Sequence, residues 1–146
     1  FEDKYFPPHE FRQRPKWVGS LPKNLQEILD EVYVALQNGT RVLAAVGART
    51  TLDILALDKL GDLKTFQAKL DALQGAGHVT PHERDLLEVL TEAGNASAHR
   101  GFRPNENDLV TVMDVLEGIL EKVYVLDARQ KELAARAKQL KTMPVS

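Results

Sequence analysis

Between Arg41 and Asp58 the chain is apolar on nearly every face a helix could present. Val42, Leu43, Ala44, Ala45, Val46, Ala48, Leu52, Ile54, Leu55 and Leu57 leave almost no polar stripe. A helix without a polar face belongs at the centre of a bundle, where neighbours cover it from several sides. The rival reading, a membrane span, fails on Arg49, Thr50, Thr51 and Asp53, because charge in mid-span is costly in lipid. Arg49 and Asp53 are four residues apart, hence on one helical face. A buried guanidinium needs a counter-charge, so Asp53 is the expected partner of Arg49.

Amphipathic helices surround this one in sequence. Leu21-Pro22 opens a helix whose apolar face is Leu25, Ile28, Leu29, Val32 and Leu36, and Asn38-Gly39 ends it. Thr40 is the expected cap of the apolar helix. A third helix is predicted from Gly61 or Asp62, with Leu63, Phe66, Leu70 and Leu73 inward and Gly75 and Gly77 at its end. Thr80-Pro81-His82-Glu83 carries the pattern of a capping box with Pro at the first helical position, and its helix is predicted to run to about Ala93. Asn105 to Asp108 offer capping oxygens and first-turn negative charge to a helix built on Leu109, Val112, Met113, Leu116, Ile119, Leu120 and Val123. No strand-like run interrupts the series. The fold class is therefore all-α: an up-and-down bundle of about five helices, with an extended N-terminal arm and a helical C-terminal tail.

Three regions follow. Residues 1–20 combine Pro7, Pro8 and Pro15 with Tyr5, Phe6, Phe11 and Trp17, a composition that favours an extended arm laid against apolar surface. Residues 21–125 are the bundle. Residues 126–146 are a basic tail in which Leu126, Leu133 and Leu140 recur every seven residues, with Ala137 between the last two. Arm and seam together exceed what a lone bundle needs to cover, so a homodimer is expected.

Charge separates the same regions. The chain is −2 overall, but the tail holds five basic residues against two acidic ones, and residues 21–125 carry −6. A negative body repels phosphate backbones, so the bundle surface is no general nucleic-acid platform. There is no Cys, which removes disulfides, thiolate nucleophiles and cysteine-bound zinc. No signal peptide is visible, and a cytoplasmic location is expected. The chain begins at Phe1 and is expected to be part of a longer protein.

One stretch breaks the helical pattern: Glu92-Ala93-Gly94-Asn95-Ala96-Ser97-Ala98-His99-Arg100-Gly101. Its small residues permit close approach of backbones, so Asn95 and His99 are expected to face inward toward Arg49 and Asp53 in a closed polar network. As chemistry, an unperturbed imidazole titrates near ~6.5, so a histidine at position 99 can take and return a proton at neutral pH. No phosphate loop, no Ser–His–acid set and no metal site can be assembled from the remaining residues. His78 and His82 are four apart, but Pro81 breaks the face between them. No cofactor or metal is expected.

Arg49-x-x-Leu52-Asp53, followed by Gly94-Asn95-x-x-Ala98-His99, resembles the domain-of-unknown-function 4145 family, which usually shows Arg-x-x-Leu-Glu and then Gly-Asn-x-x-Ala-His. That family belongs with the HEPN superfamily of small helical bundles, and the resemblance covers about residues 20–125. It implies a bundle that often pairs. The superfamily includes metal-independent ribonucleases of toxin–antitoxin and antiviral systems as well as non-catalytic binding modules. The ribonucleases carry an Arg four to six residues before the His, where this chain has Glu92, Ala93 and Gly94. A carboxylate there repels phosphate. The expected function is thus a non-catalytic interaction and dimerisation module, within a larger bacterial defence or toxin–antitoxin type protein. The alternative is a metal-independent endoribonuclease with His99 as general base and acid and Arg49 or Arg100 on the phosphate. RNA is a partner only under that alternative.

Overall fold

The computed structural model describes residues 12–94 and 102–142. The expected all-α bundle is what these residues form, and no strand occurs among them. Helix α1 (Lys23–Gln37) and helix α2 (Arg41–Leu60) make an antiparallel hairpin. Its turn passes through Gly39 at φ +70°, a conformation open to glycine at little cost. Thr40 occupies the N-cap position of α2 but does not cap it. Its hydroxyl donates to the Ala35 carbonyl at 2.9 Å instead, tying the turn back to α1.

Small residues on α2 set the spacing of this hairpin. Gly47 lies so close to α1 that a Cβ there would sit 2.6 Å from Cγ2 of Val32. Ala44, Ala45 and Ala48 are buried beside it. The polar residues of α2 are accommodated locally: Thr51, fully buried, donates to the Gly47 carbonyl at 2.8 Å, and Thr50 to Val46 at 2.9 Å.

Helix α3 (Phe66–Gly75) starts later than its sequence pattern predicts. Gly61 at φ +96° ends α2, and Thr65 is the cap, accepting from the Ala68 N–H. Leu63 therefore lies in the connection and not on the helix. Helix α4 (Pro81–Leu87) opens with the expected capping box: Thr80 Oγ1 accepts from Glu83 N at 3.0 Å, and Glu83 Oε1 accepts from Thr80 N at 2.9 Å. Its continuation tightens into a 3₁₀ helix over Glu88–Gly94. The buried residues Leu87, Leu90 and Ala93 recur every three positions, which is the 3₁₀ repeat and not the α repeat.

Asn105 caps helix α5 (Glu106–Leu120), accepting from Asp108 N at 2.7 Å. The helix continues without a break through a π-helical stretch, Glu121–Leu126, into helix α6 (Asp127–Thr142). The core runs along the buried faces of α1, α2 and α5, with Leu70, Leu73, Leu87 and Leu90 closing its end. α2 packs against α1, α3, the 3₁₀ helix and α5, so it is the central element. α6, in contrast, buries none of its side chains.

The segment preceding α1 is less extended than expected. Lys16–Ser20 forms a 3₁₀ turn that buries Val18 and lays Trp17 against the core. Tyr5, Phe6 and Phe11 lie outside the described residues.

Candidate functional site

Arg49 projects from α2 toward the 3₁₀ helix Glu88–Gly94. Its Nη1 donates to two backbone carbonyls there, Thr91 at 2.7 Å and Leu90 at 3.2 Å. The last carbonyls of a helix have no partner within it, and a guanidinium is well shaped to take two of them. The guanidinium carbon lies 4.0 Å from the centre of the Phe66 ring, adding a cation–π contact from α3. Arg49 thus joins three elements at one point, with only 18% of its side chain exposed.

Asp53 stands one turn along α2. Its Oδ1 lies 3.9 Å from Arg49 Nε, an ion pair beyond hydrogen-bond length. The closer partner of Asp53 is Lys69 on α3, whose Nζ donates to it at 2.8 Å. The expected Arg49–Asp53 pair is therefore present but loose. The guanidinium spends Nη1 on backbone, and the carboxylate is bonded to a lysine.

Gly94 closes the site. A Cβ at that position would lie 2.5 Å from Arg49 Nη1 and 2.6 Å from its Cζ. A larger residue there would have to displace the guanidinium, which two carbonyls and the Phe66 ring hold in place. Arg49 and Gly94, 45 positions apart, are thus two halves of one contact. Leu52, between Arg49 and Asp53, is buried in the core.

Asn95, His99 and Arg100 lie outside the described residues. The chain returns at Phe102, which packs against the core. Glu92 is exposed. Among the described residues no group of three or more His, Asp or Glu is placed to hold a metal ion. None of their helices is long and apolar enough to cross a membrane.

Of the two short motifs, Arg49 of the first and Gly94 of the second meet here, and a comparison of the whole chain with known families points to the same family. The family described as "Domain of unknown function (DUF4145)" matches residues 30–138. The chain belongs to this family. The match spans α2, the 3₁₀ helix, α5 and most of α6, so the DUF4145 unit includes the projecting tail helix as well as the bundle. No curated protein and no solved structure matches the chain.

A second polar cluster escaped the sequence reading. Arg12 bonds Glu117 of α5 through Nε at 2.8 Å and Nη2 at 2.9 Å, and reaches Asp114 through Nη2 at 2.5 Å. Tyr33 of α1 donates to the same Glu117 at 2.6 Å. Glu117 raises the Arg12 pKa further above its ordinary value. Burial, and then the bond to Glu117, push the Tyr33 phenol well above the usual tyrosine range. This cluster ties the segment before α1 to α5 over a separation of 105 residues. Periodicity carries no signal for such a contact.

Proposed function

We propose that this DUF4145 chain is a non-catalytic association module on a HEPN-like helical bundle, acting as a homodimer within a larger bacterial defence or toxin–antitoxin type protein. The observation that carries the reading is the use made of Arg49. Its Nη1 holds the Leu90 and Thr91 carbonyls, and Gly94 packs against its guanidinium, so this arginine is committed to architecture. Exposed Glu92 stands where a phosphate-binding arginine would be wanted. Catalysis by charge stabilisation needs donors already aimed at the developing charge, and losing one costs about 10²–10³ in rate.

The association half of the reading rests on uncovered apolar surface. Leu43 and Leu57 on α2 are 63% and 62% exposed, and Leu140 on α6 is 69% exposed. Large apolar side chains aligned on helices mark surfaces that meet another surface.

A second reading keeps one supporting observation. Arg49 has no carboxylate at hydrogen-bond distance, so its charge is only loosely compensated beside Gly94. That is the setting an endoribonuclease would use, with His99 moving the proton and Arg49 or Arg100 facing the phosphate.

Incubation of the purified chain with single-stranded RNA separates the two. No cleavage is expected, and His99→Ala is expected to lower Tm by several degrees while leaving association unchanged. Cleavage that disappears in a folded His99→Ala variant would reverse the order of the readings.

A further inference from the structure

The central helix has a second apolar stripe that the described residues of the bundle cover only in part: Val46 and Ile54 rest against the core, while Leu43 and Leu57 stand exposed. Leu43, Val46, Thr50, Ile54 and Leu57 follow one another at helical spacing along the side of α2 away from the buried Ala48, Leu52 and Leu55. Toward α1 the first half of the stripe, Leu43, Val46 and Thr50, forms one wall of an open groove of roughly 640 Å³, whose other side includes Ile28, Val32 and Ala35. Asp30 and Glu31 border the groove on the α1 side, and Glu27 is exposed one turn before Glu31; Asp30 already accepts from Arg14 Nε at 2.7 Å, so the acidic rim rests on Glu27 and Glu31.

The complementary object is on the same chain. α6 projects from the bundle with every residue exposed, and the seam of Leu133, Ala137 and Leu140, preceded by Leu126 at the end of the π-helical stretch, is uncovered by the described residues of the protomer. Arg129 and Arg136 flank that seam on one side and Lys141 on the other, by helical position. A mostly polar sixteen-residue helix is marginal in water on its own and is normally held by packing. The lengths also agree. Leu43 to Leu57 and Leu126 to Leu140 are each fourteen residue steps apart, or about 21 Å of helix axis. α6 is continuous with α5, so it cannot turn back onto its own groove without breaking the helix.

We infer that α6 of one protomer lies in the α1–α2 groove of a second copy of this chain. The leucine seam covers the Leu43–Leu57 stripe, and its arginines meet the Glu27–Glu31 rim. Exchange in both directions gives a closed two-fold dimer in which each tail supplies one interface and each groove the other. The inference rests on the association reading above and names the surfaces that carry it. Pairing of acidic groove with basic tail also selects against tail-to-tail and groove-to-groove contact, which would place like charges together.

The chain has no cysteine, so single cysteines can be introduced as reporters. Thr50 and Leu133 are the midpoints of the two stripes and meet whichever way the tail runs. Thr50→Cys and Leu133→Cys, made in chains of different mass and mixed under oxidising conditions, are expected to form the mixed disulfide dimer in excess over both homotypic ones. Leu133→Asp, at an exposed position that leaves the helical circular dichroism unchanged, is expected to weaken dimerisation by on the order of 30-fold in sedimentation equilibrium. Glu27→Lys with Glu31→Lys should weaken it too, and Arg129→Glu with Arg136→Glu in the same chain should restore it. A monomer at high micromolar concentration overturns both this inference and the association reading. A dimer that gives only the homotypic disulfides, tail to tail in Leu133→Cys or groove to groove in Thr50→Cys, overturns the exchange while leaving association intact.

Discussion

Two arginines, Arg12 and Arg49, each pin a remote segment to the bundle, and they do it by different physics. Arg12 is neutralised. It takes Glu117 through two nitrogens and Asp114 through one, at the edge of α5. Arg49 is not neutralised to the same degree. It takes two carbonyls and an aromatic face, with its nearest carboxylate 3.9 Å away and bonded to Lys69. The first arrangement is an ion-pair cluster partly open to solvent, as the 64% exposure of Asp114 shows. The second is a packing device in which the guanidinium works as a flat, multiply donating wedge. Of the two, only the wedge sits at the family motif.

The largest effect is expected at the wedge. Arg49→Ala leaves the Leu90 and Thr91 carbonyls without their donor and opens a space beneath Gly94. Charge-assisted hydrogen bonds of this kind contribute about 1.5–3 kcal/mol each, so a loss of about 3 kcal/mol is expected in urea unfolding. Gly94→Ala should cost about 2 kcal/mol by forcing the guanidinium aside. The decisive number is the coupling. In the Arg49→Ala background Gly94→Ala should cost little, because the obstructing group is gone. Additive costs would mean that the two halves of the motif do not share a contact, and the wedge description would fail.

A smaller effect is expected at the ion-pair cluster, with a stronger response to salt. Glu117→Ala frees both Arg12 and Tyr33, but the cluster is partly solvated and water replaces some of what is lost. About 1–2 kcal/mol is expected at low ionic strength. That difference should shrink in ~1 M salt, where the screening length falls to ~3 Å. The cost of Arg49→Ala should move less, since its bonds go to carbonyl dipoles and a ring and its nearest carboxylate stands 3.9 Å away. Equal salt sensitivity at both sites would erase the distinction between them.

The contrast between the two clusters also explains what could be read from the sequence. Helix order, the buried faces of α1 and α5, and the Thr80 capping box were legible because each is local: periods of three and four, and a side chain meeting a backbone N–H three residues on. The Arg49 site was half legible. Spacing gave Asp53 as a partner on the same face, but whether a carboxylate four residues away or a carbonyl 42 residues away receives the bond depends on how α2 meets the 3₁₀ helix. Lys69 and Phe66 enter for the same reason, from a helix that starts at Phe66 and not at Gly61 or Asp62 as its pattern predicts. The 3₁₀ form of residues 88–94 had a signal in the spacing of Leu87, Leu90 and Ala93, which three residues per turn satisfies better than ~3.6. The second apolar stripe of α2 was visible as excess hydrophobicity and was assigned to burial. Only the placement of neighbours shows which half of an all-round apolar helix is left uncovered. The Arg12 cluster had no local signal at all.

The smallest effect gives the ion-pair cluster an alkaline signature. Tyr33 is buried and donates to Glu117, and both conditions favour the protonated phenol. Its folded pKa therefore lies above the value near ~10 of an unfolded chain. The sign follows from linkage. Below pH ~10 the phenol is protonated in both states, and its contribution to stability is fully present. As pH rises beyond that, the unfolded chain releases the proton and the folded chain holds it, so stability falls. Tyr124 is raised in the same direction by burial and then by its bond to Asp58, and it contributes a parallel decline. Tyr33→Phe should thus cost up to about 1 kcal/mol at neutral pH through the lost hydroxyl bond. Its unfolding free energy should then decline less steeply than that of the parent above pH ~10, with the Tyr124 share unchanged in both. Parallel curves for parent and variant through the alkaline range would mean that the phenol is free of Glu117. Arg12 would then hold α5 without α1, and the cluster would join two segments where the structure has it joining three.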